Sequence, residues 1–561
     1  MNRNKFYWLL AIGYWLLANQ CAQIVTPGGG PKDTKPPRAL KYSPDSAAIN
    51  FKSKRIVILF NEFIQLNDVQ KNLLISPPMK KMPDVKVKAK MLVIDLKDSL
   101  KKNTTYTFNF GKSIKDYTEG NMLEDFQYVF STGTYIDSLQ LSGKVKNGFD
   151  LKTEKDILVM LYDSLNDSVP YKKLPSYFAK TNADGTYKIN HIRADTYKVF
   201  ALKDVNGNYL FDSREESIAF SDSLIKIEGN SKLDLTMFKE EPAKQKLMRA
   251  NVSEHGHLMF AFIKSTNDSL KLNFLSQKPK ENVFYEYSQN KDTLHYWFAD
   301  DLKDTMKIQI VQGNKIIDTV RLNPITLEQI QNSKRGAKWK LNVKMNVSKD
   351  RPFDIQSNIY LKFNHPFFYF NTAGIVLRQD TMLKNIYFLY EHAAKEWSSI
   401  SPVNDHKNYE ISLNPPQKTQ QVLKENTSYH LFIPPGTFTD IFGLKNDTIK
   451  IDFKTQEEKF YGTLKLNLKG IKSNSKYILQ LLDENENVIK QDLISEPQTV
   501  NYSYLNPQKY KLKIIYDANG DGKWTSGNHL THRQPEKVIY FSGDINIRSN
   551  WDMELDWKIT E

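Results

Sequence analysis

Carboxylate and amide side chains alternate along two loops that each follow an apolar strand. The first loop carries Asp204, Asn206, Asn208, Asp212 and Glu215, and the second carries Asp517, Asn519, Asp521, Thr525 and Asn528. Hard oxygen donors at alternating loop positions are the ligands that Ca²⁺ prefers. Each loop is therefore a candidate calcium site. The alternative is a hairpin whose Asp and Asn side chains bond the local backbone.

Each loop departs from the calcium pattern at one position. The pattern requires Gly at about position 6 and a carboxylate at about position 12 of the loop. The first loop has Tyr209 where Gly is needed and ends on Glu215, whereas the second has Gly522 and ends on Asn528. Extracellular sites of this type have dissociation constants of about 0.1–1 mM, so bound calcium would brace a loop without holding a fold.

The second loop runs into a stretch rich in ionisable side chains, which are His529, His532, Arg533 and Glu536. We interpret them as a recognition surface, and a plain β-hairpin connection is the alternative. His255 and His257 have the spacing of metal ligands, but no third ligand is near them in sequence, so we do not expect zinc there.

No catalytic motif accompanies these residues in the sequence. The chain lacks GxSxG, HExxH and GxxxxGK, and its one cysteine, Cys21, lies next to the N-terminal apolar run. We therefore expect a protein that is not an enzyme and has no small-molecule substrate or cofactor other than the calcium already named. A hydrolase with paired carboxylates hidden in residues 245–335 is the remote alternative.

Both loops belong to a duplication. Tyr197–Phe211 and Tyr510–Trp524 match at five positions, all 313 residues apart, and Leu100–Tyr106 returns as Leu423–Tyr429 at a separation of 323. A constant separation over such stretches indicates repeated modules. The chain therefore reads as an A module, a B module, an insert, and then a second A and a second B module.

The composition predicts an all-β chain built as a string of β-sandwiches. Aromatic residues make up 12% of 561 residues, and short alternating apolar runs recur between Asn, Asp and Gly turns. A chain of this length needs several hydrophobic cores. The predicted modules are 36–134 (first A), 138–240 (first B), 245–335 (insert, a β-sandwich of a family we do not recognise), 340–456 (second A) and 457–561 (second B).

The first A module resembles the bacterial Ig-like domain of the SbsA type. The resemblance lies in the Phe60-Asn61-Glu62 strand end, the run LKKNTTYTFNFG from Leu100, and Phe130-Ser131-Thr132-Gly133. It implies a seven-stranded sandwich that serves as a spacer or interaction module without activity.

The B modules resemble the prealbumin-like regulatory modules of carboxypeptidases and the B-type repeats of surface adhesins. The matching motifs in the first B module are Gly143-Lys144-Val145, Asp184–Ile189 and the strand from Tyr197. In the adhesin repeats the Asp/Asn loop binds calcium, which is what the resemblance implies for this chain.

The N-terminus has the pattern of a secretory signal. Arg3 and Lys5 precede an apolar run from Phe6 to Ala18, shorter than the roughly 20 residues that span a bilayer. Residues 1–20 resemble a bacterial lipoprotein signal, which implies lipidation of Cys21, although Gln20 is larger than the usual residue before the cysteine. An ordinary signal peptide is the alternative. Residues 21–35, rich in Gly and Pro, are predicted to form a tether.

The net charge of +14 comes mostly from lysines spread along the chain. Such lysines are typical of solvated strand faces, and no nucleic-acid motif accompanies them, although basicity can also attract anionic lipid. Some Gram-negative lipoproteins that reach the cell surface carry an acidic run directly after the lipidated cysteine. No such run follows Cys21, so we favour the periplasmic side of the outer membrane over the cell surface.

These observations predict a scaffold or interaction module that binds an envelope protein or complex. One version is an accessory subunit of an outer-membrane protein assembly or secretion complex. The alternatives are a surface adhesin and a binder of glycan or peptidoglycan, for which Trp524, Trp551 and Trp557 would offer stacking faces.

Overall fold

The computed structural model describes residues 32–560 except 125, 243, 267–269, 281–282, 289, 333–338, 358, 372–373, 380–381, 385–407 and 412–422. Cys21 lies outside the described residues. Two compact units divide the chain: unit 1 comprises the residues up to Lys146 with Lys152–Met237, and unit 2 comprises Asn147–Leu151 with Phe238–Glu561.

The described chain is almost entirely β-structure, which confirms the predicted all-β class. Its helices are single turns: α1 (Val69–Asn72), α2 (Val169–Lys172), α3 (Leu327–Gln331) and the 3₁₀ turn Glu458–Phe460. None of the helices in the described part of the chain is long and apolar enough to cross a membrane.

The first A module packs three small sheets around one core. Its sheet orders are β1-β2-β6-β5, β10-β7-β4 and β3-β8-β9. In β2 the side chains of Ile56, Ile58 and Phe60 alternate inwards and are fully buried, as expected for a strand with one face on the core. The strands are β1 (Ala39–Ser43), β2 (Arg55–Phe60), β3 (Ile64–Leu66), β4 (Leu74–Ser76), β5 (Asp84–Lys88), β6 (Met91–Asp95), β7 (Thr105–Asn109), β8 (Ile114–Asp116), β9 (Met122–Leu123) and β10 (Gln127–Ser131).

The first B module has two sheets, β14-β11-β18 and β13-β12-β15-β16, with β17 also paired to β15 and β19 to β11. Strand β12 is buried along its whole length, so its side chains are covered on both faces of the sheet. The strands are β11 (Leu139–Asn147), β12 (Leu158–Tyr162), β13 (Tyr177–Lys180), β14 (Thr186–Ile192), β15 (Asp195–Lys203), β16 (Ser217–Phe220), β17 (Ile225–Ile227), β18 (Ser231–Lys232) and β19 (Leu235–Met237).

The insert opens unit 2 with two sheets, β20-β21-β24-β23 and β22-β25-β26. Phe260, Met306 and Ile308 lie in its core. The strands are β20 (Leu247–Glu254), β21 (His257–Phe262), β22 (Leu270–Phe274), β23 (Phe284–Tyr287), β24 (Thr293–Trp297), β25 (Met306–Gln312) and β26 (Lys315–Leu322).

The second A module has sheets β27-β28-β32, β29-β34 and β31-β30-β33-β35. Its core includes Phe363, Tyr429 and Phe453. The strands are β27 (Val343–Met345), β28 (Ile359–Phe363), β29 (Phe367–Phe370), β30 (Val376–Gln379), β31 (Met382–Lys384), β32 (Asn408–Ile411), β33 (Ser428–Ile433), β34 (Phe438–Asp440) and β35 (Ile449–Lys454).

The second B module repeats the topology of the first. Its sheet orders, β39-β36-β43 and β38-β37-β40-β41 with β42 paired to β40, match those of the first B module, except that β43 alone stands where the first module has β18 and β19. In each module the small sheet contains a parallel pair, β11 with β18 and β36 with β43. The strands are β36 (Gly462–Lys469), β37 (Lys476–Leu482), β38 (Val488–Ile494), β39 (Gln498–Leu505), β40 (Lys509–Asp517), β41 (Val538–Tyr540), β42 (Ile545–Asn546) and β43 (Asp552–Lys558). The duplication seen in the sequence is therefore present in the fold.

Candidate functional site

The first Asp/Asn loop, residues 204–216, closes around two carboxylates. Asp204 accepts hydrogen bonds from the backbone N–H groups of Gly207 at 2.7 Å and Tyr209 at 2.8 Å. At the far side of the loop, Glu216 accepts from the backbone N–H groups of Asp212 and Ser213, each at 3.0 Å. The loop is thus held by its own carboxylates, as in the hairpin alternative.

The amide side chains of the first Asp/Asn loop converge on one carboxylate. Asn206 and Asn208 each donate through Nδ2 to Asp212, at 2.8 Å in both cases. Together with Asp204 and Glu216, these groups place several hard oxygen atoms around one small loop, which is a donor set that suits calcium.

The second Asp/Asn loop, residues 517–536, has the same construction. Asp517 accepts from the backbone N–H groups of Asp521 and Gly522, and Asn519 donates to Thr525 Oγ1 at 2.8 Å. The carboxylate that closes it belongs to Glu536, which accepts from the N–H groups of Ala518 and Thr525. Burial raises the pKa of Glu536 above its ordinary value, and the nearby Asp517 adds to this shift.

The residues predicted as last ligands, Glu215 and Asn528, do not provide the carboxylates that close the two loops. Glu215 is exposed, and its neighbour Glu216 provides the buried carboxylate of the first loop. Asn528 pairs with Arg533 through the backbone, while its side chain accepts from the N–H of Thr531. The insertion of residues 527–533 moved the closing Glu536 beyond the twelve-residue count that sequence spacing relied on.

Tyr209 stands where the calcium pattern requires Gly, yet its backbone adopts the conformation that Gly would adopt. Tyr209 has φ 64° and Gly522 has φ 75°, so both loops make the same left-handed turn. A tyrosine rarely adopts this conformation. Its ring packs edge-on against Phe178, with centroids 5.1 Å apart, and this contact compensates for the strained backbone.

The predicted recognition surface divides into buried and exposed members. Glu536 is buried in the second Asp/Asn loop, and His529 is buried with its backbone N–H donating to Glu240 at 2.6 Å. Only His532 and Arg533 are exposed. The four residues therefore do not share one surface, because residues 238–240 cover part of this stretch in unit 2.

A second concentration of ionisable side chains lies between the insert and the second A module, both in unit 2. Sequence reasoning missed it as a group, because its members come from distant strands. We call it the His365 cluster, and it consists of Glu254, His257, His295, His365 and Asp440. Glu254, His257 and His295 belong to strands of the insert, whereas His365 and Asp440 come from the second A module.

His365 is the centre of this cluster. Its Nδ1 lies 2.7 Å from Asp440 Oδ2, and its Nε2 lies 3.7 Å from Glu254 Oε2. Glu254 Oε1 in turn lies 3.7 Å from His257 Nδ1, and His257 Nε2 is 3.0 Å from His295 Nδ1. The ring of Trp297 stacks on His257, and the ring of Phe442 packs edge-on against His365.

The cluster shifts the pKa values of its members. Burial alone would lower the pKa of His365, but the carboxylates of Asp440 and Glu254 raise it above its ordinary value. Burial would raise the pKa of Glu254, yet the facing His257 and His365 lower it to about 2. Both shifts favour a charged pair that joins the two sandwiches.

The sequence did hold a signal for this cluster, through the duplication. Phe60-Asn61-Glu62 and Phe363-Asn364-His365 follow equivalent strands, and the Asn of each accepts from a backbone N–H at 2.6 and 2.7 Å respectively. Asp116 and Asp440 are equivalent as well, since each accepts from backbone N–H groups two to five residues onward. The first A module therefore holds Glu62 where the second holds His365.

Because Glu62 stands where the second A module has His365, three carboxylates lie together in the first A module. Oxygen atoms of Glu62, Asp116 and Glu119 lie within 4.8 Å of one another, close enough to share a cation. The backbone bonds to Asp116 lower its pKa, against the opposing effect of burial, so that it stays ionised.

Comparison with known proteins bears on the fold of one module. Residues 33–132 match the family model described as the bacterial Ig-like domain, Big_5. The first A module therefore contains a bacterial Ig-like domain. A search of curated proteins found no significant match. The SbsA subtype, the prealbumin-like resemblance and lipidation stay predictions.

Solved structures are similar only at a distant level. The major pilin subunit BcpA of Bacillus cereus is 10% identical over 75% of this chain and 99% of its own, with a TM-score of 0.13. The Bacillus anthracis TIE protein is 10% identical over 95% of this chain and 76% of its own, again with a TM-score of 0.13. The S-layer protein rSbsC is 11% identical over 90% of this chain and 66% of its own, with a TM-score of 0.14. Similarity at this level gives no information on function.

Proposed function

We propose that the chain is a non-enzymatic interaction scaffold of the bacterial cell envelope, held to a membrane by a lipid on Cys21. The observation that carries this proposal is that the apolar side chains of the described residues fill the cores of the modules. Apolar residues fill a separate core in each module, as in Phe60 and Phe108 of the first A module and Leu466 and Leu512 of the second B module. Filled sandwiches act as spacers and binding surfaces.

The ionisable groups support the same function. The Asp/Asn loops are closed by bonds to their own backbone, and two histidines of the His365 cluster pack against aromatic rings. Such groups stabilise loops and join modules. Calcium binding by the Asp/Asn loops remains part of the proposal, as a brace for the ends of the B modules.

The lipid anchor is proposed from the sequence around Cys21. A short apolar run ends just before the chain's only cysteine, and a Gly/Pro-rich tether follows it. We place the protein on the periplasmic side of the outer membrane, bound to an envelope protein or complex. An accessory role in outer-membrane protein assembly or secretion is the specific form that we propose.

Protease shaving of intact cells, combined with labelling by an alkyne fatty acid, tests this placement. We expect the wild-type chain to carry the label and to survive shaving, and a Cys21→Ser variant to lose the label. Cleavage on intact cells would show that the protein is exposed at the cell surface, as expected for an adhesin. An unlabelled wild-type chain would contradict the lipid anchor.

A further inference from the structure

Exposed apolar side chains gather at one end of the first A module. We call this surface the Phe63 face, and it consists of Phe63, Lys90, Met91, Lys115, Tyr117 and Met122. Phe63 is 55% exposed and Tyr117 is 69% exposed, although aromatic rings of this size are normally buried. Grouped exposed apolar side chains mark an interaction site more often than single ones do.

Backbone contacts hold these residues side by side. The N–H of Tyr117 donates to Phe63 O at 2.9 Å, which joins strands β3 and β8 at this end of the sandwich. Lys115 pairs with Met122 across β8 and β9. The Nζ of Lys90 lies 5.5 Å from the centre of the Phe63 ring, so a cation borders the aromatic surface.

The tether reaches the module at the same end. Asn121, next to Met122, donates through Nδ2 to the backbone oxygen atoms of Asp33 at 3.0 Å and Lys35 at 3.3 Å. Asp33 lies only twelve positions after Cys21. That length spans at most about 40 Å when fully extended, so an anchor on Cys21 would keep this end of the module close to the membrane.

We propose that the Phe63 face lies on the membrane surface and inserts the rings of Phe63 and Tyr117 among the lipid headgroups. This inference rests on the lipid anchor of the proposed function. Tyr117, with an apolar ring and a polar hydroxyl, suits the interface between water and hydrocarbon, and the apolar ring of Phe63 gains free energy by leaving water. Lysines that border the two rings reach the lipid phosphates. The face thereby gives a lipidated chain a second membrane contact, whose affinity adds to that of the lipid.

Charges around the face are balanced, which favours contact through the rings. Lys35, Arg38, Lys90 and Lys115 lie at this end together with the carboxylates of Glu62, Asp116 and Glu119. The carboxylates offset the attraction of the lysines to anionic lipid. We therefore expect binding to depend more on Phe63 and Tyr117 than on the anionic lipid content of the vesicle.

A single-thiol probe tests this contact on the full-length lipidated chain. Lipidation consumes the thiol of Cys21, so a Phe63→Cys or Tyr117→Cys variant has one reactive thiol for an environment-sensitive fluorophore. Tyr135→Cys is the matched control, because Tyr135 is 61% exposed and follows β10 at the opposite end of the sandwich. The labelled chains are reconstituted into vesicles of phosphatidylethanolamine and phosphatidylglycerol that carry a quencher near the headgroups.

We expect strong quenching at positions 63 and 117 and little at position 135. Equal quenching at all three positions, or none at 63 and 117, overturns the inference. The mass of the N-terminal peptide is measured on the same sample, so a chain without lipid is recognised directly. That outcome contradicts the proposed function separately from the Phe63 face.

A second arm measures the face without the anchor. A Cys21→Ser chain is floated with the same vesicles, alone and with Phe63→Ser and Tyr117→Ser added. We expect the double replacement to weaken vesicle binding at least about tenfold, since each ring contributes buried apolar area. Both residues are exposed, so the fold should be retained, and an unchanged melting temperature verifies this. Equal flotation of the two chains contradicts the proposed contact.

Discussion

His365 Nδ1 lies 2.7 Å from Asp440 Oδ2, and the equivalent positions of the first A module hold two carboxylates, Glu62 and Asp116. One position of a duplicated loop thus carries a cation in one copy and an anion in the other. In the second A module the cation also faces Glu254 of the insert. The histidine therefore occurs in the A module that packs against the insert, and the glutamate occurs in the other A module.

The His365 cluster predicts that the stability of unit 2 depends on pH. The folded pKa of His365 is raised, so its contribution is present below the unfolded value of about 6.5 and is lost as pH rises through the folded pKa. The folded pKa of Glu254 is about 2, below its ordinary 4.5, so its contribution is present above 4.5 and is lost as pH falls. Urea unfolding should show the greatest stability between these limits.

A His365→Phe variant serves as the control for this pH dependence. We expect it to remove the loss of stability that sets in as pH rises above about 6.5, because the imidazole whose raised pKa causes this loss is absent from the variant. If the variant loses stability over that range as the wild type does, His365 is not the titrating group.

Asp440→Asn should destabilise unit 2 strongly. The replacement keeps an oxygen for the N–H groups of Phe442 and Leu444 but removes the anion beside buried His365. Breaking a buried ion pair by removing one partner costs about 3–5 kcal/mol in the free energy of unfolding. Chemical denaturation measures this cost.

Asp447→Asn is the matched control for that variant. Asp447 pairs with Lys340 at 3.4 Å, but its side chain is 84% exposed. Exposed pairs contribute at most about 1 kcal/mol, so this replacement should change stability little. If Asp440→Asn and Asp447→Asn lowered the free energy of unfolding equally, burial of the ion pair at Asp440 would not explain its contribution to stability.

Glu62→His should stabilise the first A module. The replacement puts a titratable cation beside Asp116 and Glu119, in place of a third carboxylate. The gain should be about 0.5–1 kcal/mol at pH 5 and smaller at pH 8, where the imidazole is neutral. Thermal unfolding of the variant and the wild type at the two pH values measures it, and a variant that is no more stable than the wild type at pH 5 would argue against the equivalence of Glu62 and His365.

Calcium should raise the melting temperature through Glu216 and not through Glu215. Glu216 closes the first Asp/Asn loop from a buried position, whereas Glu215 is exposed. At about 1 mM calcium, the free energy of unfolding should rise by about 0.4–1.4 kcal/mol for each occupied site. Scanning calorimetry of Glu216→Gln and Glu215→Gln distinguishes them. A calcium response that disappears only in Glu215→Gln would restore the ligand set read from the sequence.

Local patterns allowed the fold class and the duplication to be predicted. Alternating runs such as Arg55–Phe60 became strands, and the constant separation of the Tyr197 and Tyr510 strands became two matching sandwiches. These signals are local in sequence, so one chain suffices to detect them.

The site was harder to predict because tertiary packing decides it. Glu536 closes its loop from beyond an insertion, and Tyr209 makes a left-handed turn because Phe178 supports its ring. His365 meets Glu254 across more than a hundred residues of sequence. Spacing rules count along the chain and do not register such contacts.

Affinity purification from detergent-solubilised envelopes tests the central claim, that this chain is a lipid-anchored interaction scaffold. The wild-type chain and its Cys21→Ser variant are purified in parallel, with the mass of the N-terminal peptide recorded. We expect a lipidated wild-type chain to co-purify with the same envelope protein in fixed proportion, and the variant to lose most of it. A wild-type chain recovered alone from the aqueous fraction, with an unmodified thiol at Cys21, would contradict the claim.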